Sequence, residues 1–162
     1  MKSNPNIQKS IMRLSVPLVT AALFLPALGT ETHGATVIID GIEVTEPAAV
    51  ILGNADGESD TTTVKNAGAE WNFPGDINIG KAGSGTVNVE AGAKVENFEY
   101  GVAHDTYLGT TTTGSGTLKV TGAGSSYATN RIYAGLRGDG EVTVEDGGKL
   151  KTMPAKLVSD NG

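Results

Sequence analysis

His33 and His104 are the only histidines in the 162 residues, and His104 is followed directly by Asp105. A carboxylate beside an imidazole can fix its tautomer and turn it into a general base. Hydrolysis would also call for a nucleophile, and no Gly-x-Ser-x-Gly elbow of a hydrolase accompanies the pair. Gly114-Ser115-Gly116 has a counterpart in Gly83-Ser84-Gly85, so it reads as a repeated turn. His104 is expected as a loop residue in solvent. The densest acidic loop is Asn54-Ala55-Asp56-Gly57-Glu58-Ser59-Asp60, whose alternating oxygens could surround calcium. Its glycine stands fourth rather than sixth, and no bidentate glutamate follows at the expected distance, so a solvated turn is the better reading. Gly135-Leu136-Arg137-Gly138-Asp139-Gly140 does not match the Gly-Gly-x-Gly-x-Asp calcium repeat either. Gly80-Lys81-Ala82 lacks the hydroxyl residue and the helix of a phosphate loop. Trp71 and Tyr127 could stack on sugars if they faced outward. Their recurrence at equivalent places points instead to packing between repeats. Thr110-Thr111-Thr112-Thr113 could accept O-linked sugars or form a polar turn, and Glu90 and Glu145 are expected to stack on an outer edge. No residue is assigned as catalytic, as a cofactor contact or as a metal ligand, and no cofactor is expected.

The elements that hold these residues repeat. Residues 76–95 return as residues 131–150, 55 positions later, with glycines, β-branched residues and the lysine before the closing aliphatic in step. A smaller motif, Gly-x-Gly-x-aliphatic-x-Val, occurs at 83–89, 114–120 and 138–144, with a degenerate copy at Thr61-Thr62-Thr63-Val64. Equivalent positions 60, 85, 116 and 140 are separated by 25, 31 and 24 residues, and the long step contains an insertion around residues 97–105. Each motif alternates: Val87 and Val89 flank Asn88, Leu118 and Val120 flank Lys119, and Val142 and Val144 flank Thr143. Period-two alternation of β-branched residues predicts strands with one buried face. Gly-Ser-Gly, Gly-Asp-Gly and Asp-Gly-Gly are expected to supply the positive φ angles of tight turns. Such a period predicts an all-β chain, a parallel β-helix or solenoid of right hand, as parallel crossovers are. The expected plan is a signal peptide over 1–29, an N-terminal lead-in strand region over 30–50, two solenoid repeats over 51–152, and a tail or the start of further sequence over 153–162. The repeats fall at 51–97 and 107–152, with 98–106 inserted between them.

Composition narrows the setting. Lys2, Lys9 and Arg13 precede a mostly apolar stretch over 14–28 that is short for a membrane span, and Ala27-Leu28-Gly29 offers small residues for signal cleavage. Three of the 12 basic and none of the 18 acidic residues lie in 1–29, which leaves nine against 18 and a net charge of −9. That balance argues against nucleic acid and against a polybasic membrane contact. The absence of cysteine excludes a disulfide framework and thiolate chemistry. Eight aromatics make the interior thin, so a short stack needs its ends capped. The last residues follow closely on a repeat, which leads to the expectation of a fragment or of the start of a longer stack.

The run Tyr107-Leu108-Gly109, residues 114–127, Ile132-Tyr133-Ala134-Gly135 and residues 138–150 resembles a bacterial repeat family. That family occurs in passenger regions of type V secreted autotransporters and in PEP-CTERM surface proteins. Two copies cover about 51–152, the first degenerate because it lacks the Gly-Ser-Gly-Thr opening before Val64. The resemblance implies a parallel β-helix exposed outside the cell, without implying a catalytic activity. Neither a membrane barrel nor a Pro-Glu-Pro sorting signal lies within the 162 residues, so the resemblance leaves the anchoring route open. The reading is a secreted or outer-membrane-associated cell-surface repeat protein, a stalk or adhesion module, with surface glycans or host and matrix proteins as partners. Self-association through open solenoid ends and a membrane link through a missing anchor belong to the same reading. The alternatives are a fragment of a carbohydrate-active β-helix enzyme, a polysaccharide lyase or hydrolase, and a repeat fragment without function.

Overall fold

The computed structural model describes residues 34–46, 49–99 and 102–153, and every element in them is a strand. Three strands make one coil. β1 (Thr36–Asp40), β2 (Glu43–Thr45) and β3 (Val50–Leu52) form the first, and β4 (Ser59–Lys65), β5 (Glu70–Asn72) and β6 (Ile77–Ile79) the second. In the third coil, β7 (Ser84–Glu90) and β8 (Lys94–Glu96) are followed by two short strands, β9 (Phe98–Glu99) and β10 (Val102–Ala103), and then by β11 (Thr106–Leu108). β12 (Ser115–Thr121), β13 (Ser126–Thr129) and β14 (Ile132–Ala134) complete the fourth, and β15 (Asp139–Glu145) and β16 (Lys149–Thr152) begin a fifth. Like strands stack in parallel into sheet 1 (β1-β4-β7-β12-β15), sheet 2 (β2-β5-β8-β13-β16) and sheet 3 (β3-β6-β11-β14). The chain is an all-β parallel solenoid of about four turns. Residues 1–33, with His33 and the expected signal peptide, and residues 154–162 lie outside the described residues.

Register follows the repeat. Asp60, Gly85, Gly116 and Gly140 pair one above another, so the steps of 25, 31 and 24 residues are the lengths of successive coils. The first coil is paired in the same way: Thr36 sits on Thr61, Val44 on Trp71 and Val50 on Ile77, so the expected lead-in region carries two stacked strands and the first residue of a third. Alternation sends Val64, Val89 and Val120 inward in one column and Val87 and Leu118 in the next, all fully buried. Each such side chain stabilises the stack by about 1.5–3 kcal/mol through removal from water. Sheet 2 adds the inward column Val44, Trp71, Val95, Tyr127 and Leu150. Trp71 and Tyr127 are interior side chains, 3% and 0% exposed, which bears out packing between coils over an outward sugar platform.

The glycines do two jobs, and one differs from the expectation. The Gly-x-Gly openers do not carry positive φ. They sit where two sheets meet: a Cβ on Gly85 would run into the Gly80 amide, and one on Gly116 into the backbone of Ile79, Leu108 and Gly109. Positive φ falls at two other corners: after sheet 3, at Gly53, Gly80, Gly109 and Gly135, and after sheet 1, at Gly41, Asn66, Ala91, Gly122 and Asp146, where Gly147 of the Asp-Gly-Gly run also takes it as expected. There an asparagine, an aspartate and even an alanine take the left-handed conformation at a cost that the paired strands on both sides hold in place. Asp60 replaces glycine in the second coil. It is 7% exposed and accepts the Ala35 and Gly53 N–H groups at 2.7 and 2.8 Å, joining two coils where the others use close backbone contact.

Candidate functional site

Among the described residues, the third coil departs from the others at the corner between sheets 2 and 3. β9 and β10 pair antiparallel there as a separate two-stranded sheet. Its base is locked. The His104 N–H donates to the Asn97 carbonyl at 3.1 Å. The His104 carbonyl in turn accepts the Asn97 side-chain amide at 2.9 Å, the Asn130 N–H at 2.9 Å and the Thr129 hydroxyl at 3.0 Å. Beneath it, buried Thr106 shares its hydroxyl with the Tyr127 phenol and the Thr129 hydroxyl, both at 2.9 Å. Burial pushes the Tyr127 phenol far above its ordinary range.

On the outside of this corner, side chains from three coils converge. Asp76, Asp105 and Arg131 each precede a strand of sheet 3, and the register places them in one column. Asp76 Oδ1 accepts the Asp105 N–H at 2.9 Å, and Asp105 Oδ1 accepts the Asn130 side-chain amide at 2.7 Å. The next outward column holds Asn78, Tyr107 and Tyr133. The two phenol rings are parallel within 8°, with centroids 5.1 Å apart. Parallel rings in contact lie closer than that, so the pair is offset and part of each ring face stays uncovered. The Tyr107 hydroxyl points to Asp105 Oδ2 at 3.5 Å, and Arg131 Nη1 to the Tyr133 oxygen at 3.5 Å. Partial burial, and then the charges of Asp76 and Asp105, raise the Tyr107 pKa. Arg131 is held still more firmly protonated, first by its bond to Tyr133.

The residues singled out from sequence fall differently. His104 faces a carboxylate, but it is Asp76 of the preceding coil, with Nδ1 3.9 Å from Oδ1, and not its neighbour Asp105. That separation is too long for a hydrogen bond. In the acidic loop Asp60 turns inward and Glu58 accepts the Ala55 N–H at 2.9 Å. Among the described residues no three His, Cys, Asp or Glu side chains converge as a metal would require. The amides of Lys81 and Ala82 donate to Leu52 and Gly53 of the coil below, so Gly80-Lys81-Ala82 is a turn. Thr110 and Thr113 likewise donate to the Lys81 and Ala82 carbonyls, which makes the threonine run a tied turn. Glu90 and Glu145 share a column but are separated by Thr121, and Glu145 pairs instead with Lys119 at 2.6 Å.

Tyr107 and Tyr133 escaped the sequence reading, although each is the middle residue of a short strand closed by glycine, Thr106-Tyr107-Leu108-Gly109 and Ile132-Tyr133-Ala134-Gly135. Alternation alone would have turned them outward. Asp76 and Asn130 had no such signal, because Asp105, the partner of both, lies 29 and 25 positions away. The arrangement offers acceptors (Asp76, Asp105), donors (Arg131, Asn130) and two flat phenol faces along the solenoid axis. Compared with family models, curated proteins and solved structures, the chain matches none.

Proposed function

We propose that this chain is a secreted or cell-surface, non-catalytic repeat segment that works as a stalk or adhesion module of an autotransporter-type passenger, with surface glycans or host and matrix proteins as partners. The observation that carries this reading is the outer wall of sheet 1. Thr61, Thr86 and Thr117 form one axial column, and Thr63, Asn88, Lys119 and Thr143 another. Each coil adds about 4.8 Å of such wall. An extended, hydrated face of short polar side chains gives reach and repeated contact, and many weak contacts sum to avidity. Protease shaving of intact cells tests it. Peptides from 34–153 should be released before lysis; a chain protected until the cells are broken would end the surface reading.

One observation favours the enzymatic alternative. Asp76 and Asp105 lie one rung apart with Arg131 next in line, the acid and base inventory of a polysaccharide-cleaving β-helix. Both carboxylates already accept amide N–H groups, and His104 is not within hydrogen-bond reach of either. The non-catalytic reading is preferred. A reducing-end assay on polysaccharides, with Asp76→Asn and Asp105→Asn as controls, separates the two.

A further inference from the structure

We propose that the corner built by Asp76, Asp105, Tyr107, Asn130, Arg131 and Tyr133 binds neutral, hydroxyl-rich glycan chains. This rests on the adhesion reading above and names its partner. Two independent features meet here. One is the inserted hairpin, which makes the third coil 31 residues long against 25 and 24 for the coils on either side. In stacked repeats, insertions map to loops on one face, which is often the face that binds. The hairpin also carries an exposed apolar side chain, Val102, at 58%. The other is the stacked tyrosine pair with its polar border.

The chemistry selects the ligand class. A pyranose has an apolar C–H face and a rim of hydroxyls that both donate and accept. The offset phenol faces suit the first, and a mixed rim of carboxylates, amide and guanidinium suits the second. A polyanion would meet Asp76 and Asp105 on a chain with an acidic excess, and a basic peptide would meet Arg131. A small apolar molecule would call for a concave pocket that encloses it, whereas these groups form a ladder along the solenoid axis. A chain of sugars laid along that axis passes Asn78, Tyr107 and Tyr133 in order.

The test is titration of the purified full chain with cellohexaose, chitohexaose and xylohexaose, followed by NMR, with polygalacturonate as the charged control. At least one neutral hexaose should bind. Tyr133→Ala should weaken it about tenfold, the loss of one good stacking contact. Tyr133→Phe, which keeps the ring, should stay within about threefold, roughly half the tenfold step in free energy. Asp76→Asn, at an exposed side chain that keeps an acceptor for the Asp105 N–H, guards against a folding artefact and should weaken binding while leaving the melting curve in place. Binding of polygalacturonate alone, binding untouched by Tyr133→Ala and Asp76→Asn, or no binding of any neutral hexaose overturns the proposal. A chain that is shaved from intact cells yet binds no neutral hexaose keeps the surface reading and loses only this one.

Discussion

The outer wall of sheet 1 and the corner between sheets 2 and 3 are made by the same coils, yet they use their outward residues in opposite ways. On the wall, Thr61, Thr86 and Thr117 repeat one residue type, and few side chains touch beyond a neighbour such as Asn88 on Thr63 at 3.4 Å. At the corner residue types change from coil to coil: Asp76, Asp105 and Arg131 differ, and Asn78 gives way to the tyrosine pair. There Asp76 accepts the backbone N–H of the next coil, and Asp105 accepts the side-chain amide of the coil after it. Repetition suffices where the only task is to pair strands and stay hydrated. Departure from repetition marks the place where individual groups have individual partners.

The interior beneath the wall should show the largest effects. Gly116→Ala puts a Cβ against backbone of Ile79, Leu108 and Gly109, none of which can rotate aside. The loss expected is about 3 kcal/mol or more, at or beyond the upper end of what overpacking a core costs, because the atoms met are backbone. Urea denaturation should find the variant unfolded or nearly so; a midpoint like the parent's would mean that the sheet junction is looser than this geometry. Leu118→Ala opens a cavity in a fully buried column and should cost about 2–5 kcal/mol by the same measurement.

The corner's buried support should come next. Tyr127→Phe removes a phenol bonded to Thr106 and leaves Thr106 its bond to Thr129, so the expected cost is about 1–1.5 kcal/mol. The same group sets a pH dependence. Burial raises the folded-state pKa of Tyr127 above that of the unfolded chain, so the unfolded chain loses its proton first. Folded molecules then hold more protons, and stability falls as the pH rises beyond about 10. Tyr107 shifts in the same direction and adds to the slope. Urea midpoints from pH 8 to 11 should decline in the parent and decline less in Tyr127→Phe; parallel curves would show that Tyr127 is not the group responsible.

The difference between the two regions also decides how much was legible in the sequence. The Gly-x-Gly openers exposed the strand register at 85, 116 and 140 because the wall needs the same small residue at each sheet junction. The first coil lacks an opener, so residues 36–52 gave no sign of being a full turn. Asp60 hid a junction by doing with two hydrogen bonds what glycine does with contact. The Gly-Ser-Gly and Gly-Asp-Gly openers serve close approach and not positive φ, whereas Asp-Gly-Gly does turn through positive φ at Asp146 and Gly147; both demands favour the same residue, and only the backbone tells them apart. Corner chemistry was read locally, as His104 with Asp105. Parallel stacking also brings partners from the coil below or above, as Asp76 for His104 and Asn130 for Asp105.

Smaller effects should separate scaffold from decoration. The Asn97 and His104 backbones already meet at the hairpin base, and the fourth coil passes the same corner without an insertion, from Thr129 through Asn130 and Arg131 to Ile132. Deleting 98–103 should therefore change stability by about 1 kcal/mol or less, as loop changes that leave the closed ends in place do. A large loss of stability would make the hairpin part of the core and undo the contrast between the two regions.

The wall offers the finest test. Thr117 faces outward between Thr86 and Glu141. A neighbour opposite on a parallel pair is close enough for its charge to matter but open to solvent, so the effect is small and its sign is the informative part. Thr117→Lys should stabilise by about 0.2–0.5 kcal/mol against Glu141, and Thr117→Glu should destabilise by a similar amount. Both shifts should shrink in 1 M salt, where the screening length is about 3 Å. Equal effects of lysine and glutamate, or effects that salt leaves unchanged, would show that position 117 responds to backbone or packing. The wall would then be as individually specified as the corner.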